Sequence, residues 1–497
     1  MAEKKDPRTG SRSPTCSRAQ RRGRALIVLH IRPPKIMGAL ERSMVQHPIN
    51  LLSLAASVRA AGHQPVVWDF EVEPFSETIV RARAAALQPG LVGVTGMTAN
   101  IKVGAKILGW IKDAVPGVFA VVGGPHGSAL PEETLREFPE FDAVVVGEGE
   151  LTWTELAGRL TRGESLAGTF GLAWRDRDRV VVEPRRELIR DLDVLPLPAR
   201  DLIDLNLYKG ASSPGLDATL HRSTEIFSSR GCPQDCIFCA AKVTFGRAIR
   251  FRSAAHVLAE VDECMTKFGY RHFTMEDDTF TYRPTRLEEL CRGLRERGVS
   301  WDCDTRVNIV TREMLQMMKD SGCRKVAFGV ESGSPRILKE IRKDIDVEQI
   351  KRAFAAAHEV GLITTAFFII GGHPSETAED LEASVRLMRE IDPDLMAAAI
   401  AVPFPGTELE QIMSEKGLIA SRQWEKYTHI HSVPCWRTEN FGPEELVSLQ
   451  NRIFRRFFFR PHFVLKTFKK ALSWHGARYY GRSLWQIIRY LFIEGRN

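Results

Sequence analysis

The sequence has no apolar run long enough to cross a membrane and too few cysteines for a disulfide-stabilised scaffold. Its strongest apolar runs fall well short of the roughly 18 residues of a membrane span; they cover residues 25–31, 366–370 and 396–404. The nine cysteines are odd in number, which does not suit a set of disulfide pairs. Residues 1–24 are polar and Arg-rich, without the apolar centre of a signal peptide. We therefore expect a disordered basic leader and a cytoplasmic, reducing location.

The net charge of +7 is concentrated at the two ends of the 497-residue chain. Residues 1–24 contain eight Lys or Arg and two acidic residues, and residues 451–497 contain eleven Lys or Arg and one Glu. The long region between them is mildly acidic, whereas enzymes of nucleic acids present a basic working surface. We therefore expect no nucleic-acid partner.

Short apolar strands alternate with helices over residues 25–165, which predicts a Rossmann-like, doubly wound parallel α/β sheet. The predicted strands cover residues 25–31, 65–70, 91–95, 119–122 and 143–146. Ligands of such sheets bind beyond the carboxyl ends of the strands. Three loops at these ends are rich in small residues, namely Thr95-Gly96-Met97-Thr98, Gly123-Gly124-Pro125-His126 and Gly147-Glu148-Gly149-Glu150. No G-x-G-x-x-G follows the first strand, which argues against a dinucleotide site, and tight turns remain an alternative reason for the glycines.

A second alternation over residues 223–425 predicts six βα units, a partial (β/α)6 barrel that is open on one side. Its predicted strands cover residues 225–228, 272–275, 300–304, 325–330, 364–370 and 397–401. The Pro-interrupted residues 166–222 are predicted to be a linker with one small strand at 171–174. Residues 426–497 are predicted to be mostly helical.

Three cysteines at C-x-x-x-C-x-x-C spacing follow the first barrel strand: Cys232, Cys236 and Cys239. Thiolates are the ligands that iron–sulfur clusters require, and three of them leave one iron of a 4Fe-4S cluster open. A structural zinc site is the alternative, but it needs a fourth Cys or His nearby. Residues 240–247 contain neither. The spacing therefore predicts a 4Fe-4S cluster.

This motif, with Phe238 before its last cysteine, resembles the signature of the radical S-adenosylmethionine (SAM) superfamily. The resemblance implies that the open iron binds the amino and carboxylate groups of S-adenosylmethionine. It also implies reductive cleavage to a 5′-deoxyadenosyl radical, which removes hydrogen from an unactivated C–H bond. An electron donor such as a flavodoxin or ferredoxin is implied as a partner.

The same resemblance assigns cofactor-binding roles to residues at further strand ends. Glu276, Asp277 and Asp278 would contact the methionine amino group, although a solvated acidic turn is the alternative. Arg306 would lie near the nucleoside, and Glu331 with Ser332 would reach the ribose and carboxylate. The strand that flanks the adenine would contribute Ile370, Gly371 and Gly372, and residues 403–407 resemble the family's sixth-strand turn.

Residues 25–165 resemble the cobalamin-binding domain found in one branch of this superfamily. The resemblance implies cobalamin contacts from the three small-residue loops, at Thr95, Met97, Thr98, Gly123, Gly124, His126, Gly147, Glu148 and Gly149. The sequence contains no D-x-H-x-x-G, so no histidine occupies the usual lower-ligand position on cobalt. We therefore expect His126 to support the site rather than to ligate cobalt. The scattered remaining cysteines argue against a methylthiotransferase, which needs a second cysteine triad.

Residues 451–497 contain 12 of the 42 aromatic residues, interleaved with basic ones. This pattern suits a peripheral membrane contact, a wall over a hydrophobic site, or a helix packed on the barrel. The segment 456–461 also resembles tails of relatives that act on tetrapyrroles and hopanoids. Together, these resemblances imply a cobalamin-dependent radical SAM methyltransferase that uses methylcobalamin to methylate an unactivated carbon of a hydrophobic or polycyclic substrate. The alternatives are a non-methylating anaerobic tetrapyrrole cyclase and, for the first domain alone, a corrinoid-binding sensor.

Overall fold

The computed structural model describes residues 25–34, 45–208, 223–429 and 432–460. Seven strands form the first sheet, and six of the remaining strands form the second. The predicted leader at 1–24 and the basic-aromatic tail after residue 460 lie outside the described residues. Within the described chain, no helix is both long and apolar enough to cross a membrane.

The first sheet is built from seven strands flanked by six helices. Its strands are β1 (Ile27–Arg32), β2 (Gln64–Asp69), β3 (Leu91–Thr95), β4 (Phe119–Gly123), β5 (Ala143–Val145), β6 (Leu172–Asp176) and β7 (Arg179–Val182). The helices are α1 (Ile49–Ala60), α2 (Glu77–Leu87), α3 (Ile101–Ala114), α4 (Pro125–Ala129), α5 (Pro131–Glu137) and α6 (Glu150–Arg162). The strand order is β2-β1-β3-β4-β5-β6-β7, and β1 to β5 are parallel. This part of the sheet confirms the predicted doubly wound fold.

The antiparallel hairpin β6–β7 lies within the predicted linker and extends the first sheet. Only a small strand at 171–174 was predicted in this region. Strand β7 has no fully buried residue, because it forms the edge of the sheet. Without a buried face, it lacks the alternation of apolar and polar residues that identifies a strand in a sequence.

The second sheet is a six-stranded half-barrel, with a two-stranded ribbon beside it. The strands of this region are β8 (Ser223–Ile226), β9 (Ser229–Arg230), β10 (Arg250–Phe251), β11 (His272–Met275), β12 (Ser300–Thr305), β13 (Cys323–Glu331), β14 (Ile363–Ile370) and β15 (Leu395–Ile400). The parallel order is β15-β14-β13-β12-β11-β8, and β9 pairs with β10. The half-barrel confirms the predicted open barrel.

Helices cover the outer face of the half-barrel. They are α7 (Ala241–Phe245), α8 (Ala254–Phe268), α9 (Pro284–Glu296), α10 (Arg312–Asp320), α11 (Pro335–Glu340), α12 (Val347–Glu359), α13 (Ala378–Ile391) and α14 (Glu408–Glu415). Alternate strand residues point to opposite faces of a sheet. One set, which includes Phe273, Trp301, Phe328 and Phe368, joins the hydrophobic core. The other set faces the interior of the half-barrel.

The C-terminal region begins with the helix α15 (Pro443–Phe458), which packs on the half-barrel beside β15. Phe454 and Phe457 are buried in that contact. Arg456 forms an ion pair with Glu382 of α13. For the described part of the tail, the structure therefore agrees with a helix packed on the barrel.

Candidate functional site

The three motif cysteines lie in one loop between β9 and α7. Cys236 is buried, Cys232 and Cys239 are partly exposed, and none forms a disulfide. Gly231 opens the loop with a φ of +86°, and a Cβ there would lie 2.5 Å from the carbonyl oxygen of Ala248. Only glycine fits this conformation and this space. The loop shape therefore depends on Gly231 and places three free thiols at the end of the half-barrel.

Burial raises the pKa of the Cys239 thiol to about 11, and the charges of Asp278, Cys236 and Cys232 add to this shift. Burial also raises the pKa of Cys236, against the opposing charges of Lys343 and Arg306. Burial therefore favours the neutral forms of Cys236 and Cys239. A metal ion bound to a thiol removes its proton, so this set of donors suits iron.

Within the described part of the chain, no three His, Cys, Asp or Glu side chains are placed to hold a single metal ion. In a 4Fe-4S cluster, each cysteine binds a different iron, so the ligands do not converge on one point. The arrangement of the three free cysteines is thus compatible with a cluster, whereas a single-ion zinc site has no support.

Asp277 holds the segment that leads into the cysteine loop. Its carboxylate accepts hydrogen bonds from the backbone N–H groups of Ser228 and Ser229, at 2.6 and 2.8 Å, and from the Ser228 hydroxyl. The first barrel strand ends at Ile226, two residues before the predicted end, because Asp277 draws Ser228 out of the sheet. The structure therefore gives Asp277 a role in shaping the loop, although a direct cofactor contact was predicted.

The two neighbours of Asp277 are available to a ligand. Glu276 is half-buried and accepts a hydrogen bond from the Gln46 amide at 2.7 Å. Burial raises the pKa of Glu276 to about 8, with further contributions from Asp304 and Glu225. Asp278 is exposed. The acidic turn thus presents two carboxylates beside the cysteine loop.

An ion pair that no sequence motif indicates lies at the end of β13. Glu331 has a φ of +63°, and its carboxylate binds the Lys343 ammonium at 2.6 Å. Arg306 donates a hydrogen bond to the backbone carbonyl of Lys343. All three side chains are buried, and Lys343 and Arg306 influence the pKa of Cys236. Lys343 could not be singled out from the sequence, because the turn that brings it back to β13 is a feature of the fold.

Two of the predicted S-adenosylmethionine contacts are turned away from the interior of the half-barrel. Ser332 is fully buried, and its hydroxyl lies 3.3 Å from the Ser384 hydroxyl and accepts from the backbone of Ser334. Ile370 is fully buried in the core between sheet and helices. Both side chains therefore have protein contacts of their own, and their contact with S-adenosylmethionine stays a prediction. The neighbouring residues on the interior face are Glu331 and Ile369.

Gly371 and Gly372 follow β14, where the predicted adenine site lies. Gly371 has a φ of +69°, and its N–H donates to the Glu376 carboxylate. Glu376 is fully buried, and burial raises its pKa to about 8. The hydrogen bond fixes the loop in which Gly372 lies. The loop can therefore contact a ligand through its backbone.

The loops of the first domain meet at the carboxyl edge of its sheet. The N–H of Gly96 donates to the carbonyl of Gly123 at 2.7 Å, and the N–H of His126 donates to the carbonyl of Gly96 at 3.2 Å. Gly124 has a φ of +97°, with Gly96 packed against it. Met97 is half-exposed at 51%, an unusual position for a large apolar side chain. The first two loops are thus packed closely against one another, with Met97 exposed at the edge.

Thr95 and Thr98 flank Met97 in the first of these loops. Thr98 is 3% exposed and begins a short 3₁₀ turn that contacts the turn formed by residues 424–426. Thr95 is half-buried, and its hydroxyl accepts a hydrogen bond from the Asn50 amide at 3.4 Å. Of these two threonines, Thr95 keeps a partly exposed hydroxyl at this edge.

His126 lies in the short helix α4 and is 1% exposed. Its ring meets the Trp424 ring edge-on at 5.0 Å, and its Nδ1 has no hydrogen-bond partner among the described residues. Burial lowers the pKa of His126 to about 4, and the Arg422 charge adds to this effect. The ring is therefore neutral near pH 7. Its burial beneath Trp424 agrees with the expected supporting role.

Glu148 connects the first domain to the half-barrel, between Gly147 and Gly149. Its carboxylate accepts from Arg230 at 3.0 Å and from Arg250 at 2.8 Å, and the N–H of Ile189 donates to it at 2.9 Å. All of its oxygen atoms are thus engaged by protein. The side chain thus forms an interdomain ion pair, and its contact with cobalamin stays a prediction.

Glu150 strengthens the same junction. Its carboxylate binds Arg230 at 2.5 Å. Burial alone would raise the pKa of Glu150, but the charge and hydrogen bond of Arg230 outweigh burial and lower it. A second connection joins His47 to Glu225 of β8 at 2.8 Å and to Tyr270 at 2.9 Å. Buried polar contacts therefore fix the loops of the first domain against the half-barrel.

Comparisons with known proteins agree with this arrangement. The family model of the radical SAM superfamily matches residues 226–388, and that of the B12 binding domain matches residues 38–157. An uncharacterized methyltransferase of Pyrococcus horikoshii is 34% identical over 422 residues, which cover 84% of this chain and 89% of that protein. The anaerobic magnesium-protoporphyrin IX monomethyl ester cyclase of Rubrivivax gelatinosus is 29% identical, over 89% of this chain and 79% of that protein.

A solved structure shares the whole architecture. The cobalamin-dependent S-adenosylmethionine radical enzyme OxsB, with aqua-cobalamin and S-adenosylmethionine bound, superimposes with a TM-score of 0.71. The sequence identity is 16%, and the match covers 95% of this chain and 72% of that one. This similarity confirms the order of a doubly wound domain, a half-barrel and a helical C-terminal region.

Proposed function

Because the chain belongs to the family of cobalamin-dependent radical SAM methyltransferases, we propose that it methylates an unactivated carbon of a hydrophobic or polycyclic substrate. The enzyme uses a 4Fe-4S cluster, S-adenosylmethionine and cobalamin. When bound, these cofactors supply a carbon radical and a methyl group, while the protein supplies position and shelter from water. An electron donor such as a flavodoxin or ferredoxin would complete the system.

The junction between Arg230 and Glu148 is the observation that carries this proposal. Arg230 lies two residues before Cys232, and Glu148 lies in a loop at the ligand edge of the first sheet. The pair therefore supports placing a cluster and a corrinoid on opposite sides of one shared space. Methylation with both cofactors requires such a placement, because the substrate carbon must be accessible both from the cluster side and from the cobalamin side.

The chain's own residues would divide the remaining tasks. Cys232, Cys236 and Cys239 would hold the cluster, and Asp277 would hold their loop in shape. Lys343, paired with Glu331, would place a positive charge beside the cluster and its ligands. Because this charge is already in position, the protein would not need to rearrange when the carboxylate of S-adenosylmethionine binds.

The interior face of β14 and β15 favours a substrate with an apolar body. Phe367 and Ile369 lie on this face and are only partly buried. Ala397 and Ala399 lie across from them on β15 and leave space. A hydrophobic or polycyclic group could occupy this part of the half-barrel.

A peripheral membrane contact would depend on the end of the chain. Phe459, at the end of α15, is 58% exposed, whereas Phe454 and Phe457 are packed in the core. The proposal is tested by sedimentation with anionic lipid vesicles, comparing the full chain with a variant that ends at residue 460. Equal sedimentation of both forms would show that the tail makes no membrane contact.

The second candidate is the non-methylating cyclase reaction. It is favoured by the 29% identity to the Rubrivivax gelatinosus cyclase over most of both chains. Incubation with magnesium-protoporphyrin IX monomethyl ester separates the two functions. Ring closure without added carbon would identify a cyclase. If the porphyrin is unchanged, the cyclase function is rejected and the methyltransferase proposal stands.

The proposal is tested first by the nucleoside products. Anaerobic protein with cluster and cobalamin receives reductant and S-adenosylmethionine, and 5′-deoxyadenosine and S-adenosylhomocysteine are measured. Both products are expected, since one reports radical formation and the other reports methyl transfer. The triple variant Cys232/Cys236/Cys239→Ala should lose 5′-deoxyadenosine, and the control Cys435→Ala should keep it. Deoxyadenosine without any S-adenosylhomocysteine would contradict methylation.

A further inference from the structure

The interior face of the half-barrel is divided into an acidic half and an apolar half. The acidic half, on β8, β11 and β12, carries Glu225, Glu276 and Asp304. The apolar half, on β14 and β15, carries Phe367 and Ile369 beside two alanines. Such a division is typical of a site for a ligand with one polar and one apolar end.

The strand register places the three carboxylates on one face. Glu225 pairs with Thr274, and Thr274 pairs with Asp302. Glu276 lies two residues after Thr274, and Asp304 lies two residues after Asp302. Both therefore lie on the same face, near the open end. Both are half-buried and accessible. Burial raises the pKa of Asp304 to about 6, and the Lys325 charge opposes this rise.

Two buried oxygen atoms on this face lack a partner. Glu225 is 2% exposed; its Oε2 binds His47, but its Oε1 has no hydrogen-bond partner among residues that the structure describes. The hydroxyl of Thr365, on β14, is 8% exposed and also has none there. An unpaired buried polar atom costs about 1–3 kcal/mol, so such atoms mark places where a ligand can donate hydrogen bonds.

The nearby cations are engaged elsewhere. Lys325 lies 3.8 Å from Asp302, and Lys343 binds Glu331. In the described ranges, no Lys, Arg or His forms an ion pair with Glu276 or Asp304; the contact made by Glu276 is to the neutral amide of Gln46. These two carboxyls therefore lack an ion-pair partner among the described side chains, and a positively charged ligand would favour their ionised forms.

A bare metal ion does not suit these carboxyls. Among the described side chains, no group of three is placed to coordinate one metal. Separated carboxylates and a hydroxyl instead suit a cation that donates several hydrogen bonds in different directions. Ala327 on β13 pairs with Asp304, and its small side chain leaves room beside that carboxyl for such a group.

Resting on the proposed methyltransferase function, we propose that the substrate carries a protonated amine, which binds Glu276 and Asp304, with its apolar body against Phe367 and Ile369. Glu225 and Thr365 accept further hydrogen bonds from the same molecule. Charge-assisted hydrogen bonds of this kind are about twice as strong as neutral ones. The site therefore selects amphipathic amines over neutral molecules of the same shape.

The test compares 2-phenylethylamine with its neutral isostere 2-phenylethanol. Binding to the enzyme loaded with cluster, cobalamin and saturating S-adenosylmethionine is measured by ligand-observed NMR. The amine should bind about tenfold more tightly than the alcohol. Asp304→Asn and Glu276→Gln should each reduce this preference at least about threefold, while alcohol binding, which reports an intact fold, stays unchanged. The matched control Asp178→Asn, in the exposed β6–β7 turn, should keep the full preference.

Three results would overturn the proposal. The first is equal affinity for amine and alcohol, and the second is a preference that survives both interior variants. The third is displacement of S-adenosylmethionine by the amine, which would assign the carboxylates to the amino group of that cofactor. Deoxyadenosine and S-adenosylhomocysteine are measured on the same preparations. Their formation without an amine preference would refute the substrate class alone, and their absence would refute the proposed function instead.

Discussion

The Arg230 guanidinium lies 3.0 Å from the Glu148 carboxylate, and this pair joins the loop before the cluster cysteines to a ligand-edge loop of the first domain. Their side chains are 16% and 5% exposed, so the pair is shielded from solvent. Arg250 approaches the same carboxylate at 2.8 Å. A change at Glu148 should therefore affect both cofactor sites together.

Glu148→Gln should lower the free energy of unfolding by about 3–5 kcal/mol, because it leaves Arg230 and Arg250 with less negative charge in a buried setting. Thermal unfolding measures this loss. The corrinoid and iron contents of the reconstituted protein should fall together. The control Glu155→Gln weakens the more exposed ion pairs with Arg159 and Arg186 and should cost less than about 1 kcal/mol. Equal effects of the two variants would refute the special role of the junction.

Asp277→Asn should impair cluster assembly. The amide has one oxygen in place of two, so it cannot accept from both Ser228 and Ser229 and also from the Ser228 hydroxyl. The cost should be about 1–3 kcal/mol of stability, together with a lower content of iron and sulfide after reconstitution. Asp178→Asn is the matched control, because Asp178 is exposed in the β6–β7 turn of the first sheet, away from the cysteine loop. Normal iron content in Asp277→Asn would contradict the assigned role.

Gly329→Ala should weaken binding of S-adenosylmethionine. A Cβ at this position would lie 2.5 Å from both Glu331 Oε1 and Lys343 Nζ, so the ion pair must move. Equilibrium dialysis should show an affinity lower by about tenfold or more. Gly109→Ala, in helix α3 with its nearest contact at 3.4 Å, is the control and should be neutral or stabilising. Unchanged affinity in Gly329→Ala would show that the Glu331–Lys343 ion pair has no role in binding S-adenosylmethionine.

The buried His126 should make stability depend on pH. Its pKa is about 4 in the folded protein and about 6.5 in the unfolded chain. The unfolded state therefore binds more protons between these values, and stability is lost as the pH falls from about 6.5 towards 4. Urea unfolding at pH 7.5 and pH 4.5 should show that His126→Phe removes on the order of 2–3 kcal/mol of this loss. An identical pH dependence in variant and wild type would contradict the burial of a neutral ring.

Periodic patterns identified the parallel strands of both domains, because a buried strand leaves an apolar run that is visible locally. Strand β7 could not be found in this way, since its three consecutive valines do not alternate with polar residues and none of them is fully buried. Cys232, Cys236 and Cys239 were identifiable because their chemistry depends on close spacing along the chain.

Contacts between distant parts of the chain could not be predicted from local patterns. Glu148 and Arg230 are 82 positions apart, and nothing in the glycine-rich loop indicates that its carboxylate faces another domain. Ile370 stands beside the interior position Ile369, but the pleat of β14 turns it outward, whereas Ser332 follows Glu331, whose positive φ ends β13. Their assignment depended on register, and an error of one residue reverses the face of a strand.

The most direct test of the central claim follows the methyl group itself. The enzyme with cluster and cobalamin receives S-adenosylmethionine with a trideuterated methyl group, and extracts are analysed by mass spectrometry. Transfer of the intact labelled methyl to a product carbon, with one S-adenosylhomocysteine and one 5′-deoxyadenosine formed for each methyl, is the predicted result. A product that forms with 5′-deoxyadenosine but never contains the label would contradict the methyltransferase assignment.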